Sequence, residues 1–219
     1  MEEKEIYWDI KDLYNYENFY DSGILACANF PRTYEIVKNL SYNTQYLEYL
    51  SKTLSKNLHS TIQAETTKTY VLTGMSVIES ILYYAIKSNN LHKVKEFEEI
   101  TRIESNTKKL NDSQIKVETV ILKKLLTPKE KEMNLNFMLE KTETSKLLGN
   151  DRDVYRKLNH LRKLRNKIHL YLIGENLDHD FNNFKPREYE LMRTSLKIVL
   201  YSELFKTPKE KRDQIFDFI

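Results

Sequence analysis

Residues 67–88 read TKTYVLTGMSVIESILYYAIKS and carry the clearest structural pattern in the chain. Apolar side chains recur there at steps of three and four residues, which is the period of one face of an α-helix. We therefore expect a core helix that ends at the polar SNN of residues 88–90. Gly74, inside it, either lets a neighbouring backbone come close or is merely tolerated. The apolar positions are Val71, Met75, Ile78, Leu82, Ala85 and Ile86.

Weaker helical patterns lie on both sides of this core helix. Residues 1–66 are predicted to form an aromatic-rich N-terminal helical extension, in which residues 44–62 have helical spacing. Residues 91–126 are interpreted as one or two helices joined by the polar SNTKKLNDSQ of residues 105–114. The string TPKEK occurs twice, at 127–131 and 207–211. Thr at the N-cap, Pro at N1 and Glu at N3 predict that each copy begins a helix.

The C-terminal half shows the same pattern twice more. Residues 151–173 are predicted to form a helix with Asp151 as its N-cap and Gly174 as its stop. A further helix is expected at about 187–205. The chain contains only four glycines and four prolines, and this scarcity of turn residues argues against a β-sandwich. The prediction is an all-α protein with a helical bundle core over residues 67–219. The inward positions of the last long helix are Tyr189, Met192, Leu196, Val199 and Leu200.

Composition limits the classes of function. The 219 residues have a net charge of +3, so a nucleic-acid partner requires positive charge to be concentrated locally. Cys27 is the single cysteine, which excludes an intrachain disulfide and a multi-cysteine zinc site. The start MEEKEIYWDI lacks the pattern of a signal peptide. The sequence contains no run of about 18 apolar residues, so we expect no membrane span. We expect a cytoplasmic protein that does not bind membranes.

Residues 158–172, LNHLRKLRNKIHLYL, combine a leucine frame with cationic side chains. On an ideal helix Leu161, Ile168 and Leu172 form an apolar stripe, with Leu158 and Leu164 at its margins. Measured from the centre of that stripe, Arg165 lies at roughly 40°, His169 at roughly 80° and Arg162 at roughly 100°, all on one side, with Asn166 a little further round. His160 lies on the opposite flank, so the two histidines cannot hold one metal ion.

This arrangement has two interpretations, a solvated basic helix edge or a catalytic edge that acts on phosphates. Arginine offers a planar cationic fork that matches phosphate oxygens, and histidine exchanges protons near neutral pH. Cleavage of RNA needs such a set and no metal ion. It uses a base for the 2′-hydroxyl, an acid for the leaving oxygen and cations for the charged transition state.

Two segments resemble the HEPN superfamily of small all-α proteins. LRKLRNKIHL, residues 161–170, is similar to its Arg-Asn…His motif, and GMSVIESILYYAI, residues 74–86, is similar to its earlier core helix with an embedded Glu. The resemblance implies a metal-independent endoribonuclease without a cofactor, acting in toxin–antitoxin or abortive-infection defence. It further implies a homodimer whose two motifs share one cleft. The implied catalytic residues are His169, Arg165, Arg162 and Asn166, and the implied orienting or substrate-binding residues are Glu79, Lys163 and Tyr83.

The spacing within the motif leaves three alternatives. The family places four to six residues between Arg and His, whereas three separate Arg165 from His169 and six separate Arg162 from His169. The active pair is therefore Arg162 with His169, or Arg165 and Asn166 in a motif shortened by one residue. In the third alternative, the chain is an inactive partner or binding subunit of a defence or toxin–antitoxin complex. Asp178-His179-Asp180 looks like a metal site, but we interpret it as a solvated loop and predict no metal.

Overall fold

The computed structural model describes residues 10–23, 30–168, 174 and 178–219. The chain divides into two compact units, one formed by Met1–Leu91 with Asn134–Ile219 and the other by His92–Met133. The boundary expected between residues 66 and 67 falls inside a continuous helix of the first unit. The described part of the chain is mostly helical, with the strands confined to the second unit.

The first unit is built from helices. In chain order they are α1 Leu13–Asp21, α2 Thr33–Leu54, α3 Ser60–Ser88, α4 Leu135–Thr144, α5 Arg152–Arg165, α6 Asp180–Asn183, α7 Pro186–Leu200 and α8 Lys209–Ile215. A 3₁₀ turn, Asn166–Ile168, follows α5 directly.

Helix α3 is the centre of this unit and packs against α2, α4, α5, α6 and α7. All six apolar positions predicted from its periodicity are buried, each at 0% exposure. The predicted stop is also confirmed, since Asn90 turns the chain at φ 56° and the Leu91 N–H donates to the Ile86 carbonyl at 2.9 Å. The helix begins at Ser60, seven residues before the stretch that the apolar pattern predicted. The pattern missed these first turns because they are mostly exposed and so carry no apolar periodicity.

Gly74 lies against the side chain of Met192. A Cβ at this position would lie 2.8 Å from Met192 Cε and 3.0 Å from Met192 Cγ. The close approach therefore comes from a side chain of α7 and not from a second backbone. Because Met192 is itself fully buried, it has little room to move away.

Length and composition alone would let α3 cross a membrane, and it is the one described helix of which this is true. Twelve of its 29 residues are buried inside the protein. That burial is typical of the core helix of a soluble protein, which passes the same test of length and hydropathy.

The second unit is a β-hairpin, and the expectation of helices over residues 91–126 is wrong. Strands β1 Val94–Glu104 and β4 Glu118–Glu130 pair antiparallel, and β2 Lys108–Leu110 pairs with β3 Ser113–Ile115 near the tip. At the tip Asn111 and Asp112 have φ of 48° and 61°, as in a two-residue type I′ turn. The all-α prediction is therefore corrected to a mostly helical fold with a hairpin. We call residues 92–133 the arm.

The two TPKEK strings have different structures. The first lies in β4, where Pro128 falls in a register irregularity between the pairs Phe97–Lys124 and Lys95–Lys129. A missing N–H is tolerated there, because the ladder is interrupted. Helix α4 begins later, at Leu135, after the N-cap Asn134. The second string does begin a helix, α8, although Pro208 rather than Thr207 takes the N-cap position.

Candidate functional site

Helix α5 is the scaffold of the candidate site. Its predicted N-cap is confirmed, because the Asp151 carboxylate accepts the Asp153 N–H at 2.9 Å. The helix packs against α3, α4 and α7. Tyr155 donates its hydroxyl to the Gly149 carbonyl at 2.9 Å, which ties the helix to the preceding loop. Its buried side chains are Val154, Tyr155, Leu158, Leu161 and Leu164.

Positive charge is concentrated on this helix. Arg152–Arg165 contains six Lys or Arg residues and one Asp, a net charge of +5 in a chain whose total is +3. Four side chains on its outer face recur at steps of three or four residues and are exposed to solvent. We call this set the outer stripe: Arg152, Arg156, His160 and Lys163. The local concentration that a nucleic-acid partner requires is therefore present.

The structure brings Glu79 of α3 and Arg165 of α5 together. Arg165 Nη2 donates to Glu79 Oε2 at 2.8 Å. The two side chains are partly exposed, at 36% for the arginine and 25% for the glutamate. A charge-assisted hydrogen bond of this kind fixes the direction of the guanidinium, and the remaining N–H groups can meet an anion from solvent.

The other predicted residues of α5 lie around Arg165. Arg162, one turn earlier, is half-buried, and its Nε lies 3.4 Å from Asn159 Oδ1. Asn166 is the C-cap residue and is exposed. Lys163 belongs to the outer stripe, which faces away from the buried side of the helix.

Tyr83 lies one turn beyond Glu79 on α3. Its ring packs edge-on against Tyr84 at a centroid distance of 5.1 Å, and Lys87 Nζ lies 5.5 Å above it. These contacts involve neighbours on its own helix. Tyr83 therefore shares α3 with Glu79, but these contacts do not connect it to α5.

The expectation of one helix over residues 151–173 is wrong, because α5 ends at Arg165 and a 3₁₀ turn follows. Ile168, expected in the apolar stripe, is 47% exposed for this reason. His169, Leu172 and the rest of 169–173 lie outside the described residues. Angles counted on an ideal helix therefore apply up to Arg165 and not to His169.

Asp178, which was expected to be solvated, is instead bonded to residues that follow α5. Asp178 forms an ion pair with Lys167 and accepts hydrogen bonds from Asn183 Nδ2 at 2.7 Å and the Gly174 N–H at 3.0 Å. The Lys167 ammonium and these donors hold the pKa of Asp178 well below its usual range. No periodic pattern links Lys167 to Asp178, so the sequence carried no signal for this pair.

The neighbouring residues of that loop have separate roles. Asp180 forms an ion pair with Lys68 of α3 at 2.6 Å, whereas His179 is exposed. Within the described ranges, no three His, Cys, Asp or Glu side chains lie close enough together to bind a metal ion.

Comparison of the chain with protein-family models, with curated proteins and with solved structures gives no match.

Proposed function

We propose that the protein is a HEPN-like, metal-independent endoribonuclease of toxin–antitoxin or anti-phage defence. In this proposal it acts in the cytoplasm as a homodimer and needs no cofactor. The partner that restrains it is an antitoxin or another protein of a defence complex. RNA is its substrate, and cleavage takes place beside α5.

The ion pair between Glu79 and Arg165 carries this proposal. The resemblance implies that a glutamate of the early core helix faces and orients the Arg-Asn…His motif. These two residues are 86 positions apart, and the atoms that join them are 2.8 Å apart. A carboxylate on one edge of a guanidinium restricts its rotamers, so less entropy is lost when its free edge binds a phosphate.

The proposed reaction is a transesterification within the RNA. The 2′-oxygen attacks the adjacent phosphorus, His169 removes its proton, and the bond from phosphorus to the 5′-oxygen breaks. The leaving 5′-oxygen takes up a proton from the solvent, and His169 releases to the solvent the proton that it removed, which gives a 2′,3′-cyclic phosphate and a 5′-hydroxyl. Arg165 and Arg162 stabilise the charge on the phosphoryl oxygens. Asn166, Lys163 and Tyr83 contact the substrate.

The charge of α5 supports RNA as the ligand. A helix with a net charge of +5 attracts a polyanion, although the whole chain is only mildly basic. The exposed Arg152, Arg156 and Lys163 of the outer stripe add contacts with the RNA backbone that are independent of sequence. Affinity should therefore fall steeply as the salt concentration rises.

An RNase assay with matched histidine variants tests the proposal. Wild type, His169→Ala and His160→Ala are incubated with radiolabelled RNA in EDTA, and the product ends are analysed. We expect His169→Ala to lose activity by about 100-fold or more, as for loss of a general base. His160→Ala removes a histidine from the same segment and should stay within a few-fold of wild type. Equal activity of wild type and His169→Ala would contradict the assigned mechanism.

The positioning role of Glu79 has a separate test. Glu79→Gln keeps the shape and a hydrogen-bond acceptor but removes the charge that holds Arg165. We expect kcat to fall about 10- to 100-fold with little change in KM, because the RNA still binds α5. Arg165→Lys should show a similar loss in kcat, since lysine lacks the fork. A rise in KM without a change in kcat would instead assign Glu79 to substrate binding.

One observation favours the second candidate, an inactive binding subunit of a defence or toxin–antitoxin complex. Three residues separate Arg165 from His169, which is shorter than the spacing of the resembling motif. In that case the basic face of α5 holds an acidic partner or a phosphate without turnover. Protein that leaves every tested RNA intact but forms a stable complex with a co-expressed partner would favour this function.

A further inference from the structure

A cavity lies beside the N-terminal half of α3. The cavity has a volume of 460 Å³, in the range of small-molecule pockets. Its walls come from the end of α2, the first half of α3, the start of α7 and the C-terminal Phe218. Thr67, in its wall, precedes Glu79 by twelve residues, or about 18 Å along the helix. The cavity is therefore separate from the proposed nuclease site.

Two polar groups in the cavity wall are buried without a hydrogen-bond partner among the described residues. They are the hydroxyl of Thr67, whose residue has 0% exposure, and Nε of Arg193. The Tyr70 hydroxyl is also buried without a partner, but Tyr70 lies behind the wall, where its ring is 4.8 Å from that of Tyr189. Buried polar groups in folded proteins are almost always paired, so two in one wall require a reason.

Several other polar groups of the wall are hydrogen-bonded. The Ser51 hydroxyl lies 2.8 Å from the Tyr189 hydroxyl and donates to the Phe218 carbonyl at 3.0 Å. Arg193 Nη1 contacts the exposed carboxylate of Glu190, which also lines the cavity, at 3.3 Å, while Arg193 Nε has no partner among the described residues. The two unpaired groups lie on α3 and α7.

The chemistry of these groups fits a ligand that carries a hydrogen-bond acceptor. Arg193 Nε can only donate, and the Thr67 hydroxyl can donate as well as accept. Leu54, Pro186 and Phe218 supply apolar surface beside them. A ligand that matches both parts has an apolar body and an oxygen-rich anionic head.

We propose that this cavity binds a small organic anion, with its carboxylate or phosphate head at Thr67 and Arg193 and its apolar body against Leu54, Pro186 and Phe218. This function is independent of the proposed nuclease activity. The competing explanation is that ordered water pairs the two groups and the cavity has no ligand.

Benzoate and phenyl phosphate are suitable probes, with benzyl alcohol as the uncharged control. Binding to the full chain is followed by thermal shift and by isothermal titration calorimetry. We expect saturable binding of at least one anion and none of the alcohol. Thr67→Val should weaken that binding about tenfold, the worth of a hydrogen bond to a charged group. Thr69→Val, in the same helix, should leave it unchanged, because the Thr69 hydroxyl already donates to the Glu65 carbonyl.

The stability of the unliganded Thr67→Val variant separates the two explanations. If the Thr67 hydroxyl awaits a ligand, this variant should melt at the same temperature as wild type or higher, since it removes an unpaired buried group. If water pairs the hydroxyl, the variant should melt lower. The proposal is overturned if neither anion binds saturably, or if Thr67→Val binds the anions as tightly as wild type does.

Discussion

Helix α3 and the arm both carry recurring large apolar side chains, but these side chains have opposite environments. Twelve of the 29 residues of α3 are buried, whereas all of β1 and all of β4 except one half-buried residue are exposed. Ile100 in β1 is 61% exposed and Leu126 in β4 fully so. The difference teaches that apolar content alone does not make a core. The apolar side chains must also share a face that another element covers.

The two regions are therefore held together by different interactions. Burial of apolar area stabilises α3 and the helices around it. The arm depends on backbone hydrogen bonds, cross-strand pairs and exposed ion pairs such as that of Arg102 with Glu118 at 3.0 Å. A hairpin of two strands is only marginally stable by itself. We therefore expect equal substitutions in the two regions to have very different effects.

The largest contrast should come from one substitution made at two leucines. Leu82 of α3 has 0% exposure, and Leu126 of the arm is fully exposed. Leu82→Ala should lower the free energy of unfolding by about 2–5 kcal/mol, and Leu126→Ala should change it by less than about 0.5 kcal/mol. Urea denaturation followed by circular dichroism measures both. A large loss for Leu126→Ala would break the comparison, since it would mean that the arm is covered in solution.

The same contrast explains how far the sequence predicts the structure. In α3 and α7 the core lies on one side of each helix, so the buried positions can be predicted from apolar residues that recur every three or four positions. Four of the five inward positions predicted for α7 are buried for this reason, at Met192, Leu196, Val199 and Leu200, whereas Tyr189 is half-buried. Neither side of the arm is buried, so its sequence has no such constraint. Its turn uses Asn-Asp rather than the more recognisable Asn-Gly.

The candidate site was predictable only in part, for related reasons. Glu79 and Arg165 lie on helices that the periodicity predicts, and both were expected near the site. The end of α5 at Arg165 was not expected, because apolar residues at 168 and 172 continue the helical pattern beyond it. The Lys167–Asp178 pair was missed because a contact between loop residues leaves no period in the sequence.

A smaller contrast concerns charged groups inside and outside the core. Glu48 of α2 is fully buried and accepts hydrogen bonds from the Tyr16 hydroxyl at 2.7 Å and the Lys11 N–H at 3.0 Å, with Lys52 Nζ at 2.9 Å. Burial raises the pKa of Glu48, but the hydrogen bonds from Lys52, Tyr16 and Lys11 outweigh it, and the pKa is lowered. The folded protein therefore binds this proton more weakly than the unfolded chain does.

The sign of the pH dependence follows. A lowered pKa stabilises the fold above the unfolded-state value of about 4.3, and this contribution is lost as the pH falls through the folded-state pKa. At pH 7 Glu48→Gln should cost about 1–3 kcal/mol, and its stability should fall less steeply on acidification below about pH 4. Glu118→Gln, which removes an exposed partner of Arg102, should leave the melting curve at pH 7 unchanged. Equal losses at pH 7 would contradict the assignment of buried and exposed pairs.

The smallest expected effect is local to the arm. Asp112 has φ 61° at the second position of the type I′ turn, where glycine is favoured because it lacks a Cβ. Asp112→Gly should therefore stabilise the hairpin by about 0.5–1 kcal/mol and slow hydrogen exchange of the Leu110 N–H near the turn. The buried amides of α3 should exchange at unchanged rates, because the arm forms a separate unit. If amide exchange in α3 slowed by the same factor, the arm and the helices would unfold together. The two regions would then differ in burial but not in the unfolding event that exposes their amides.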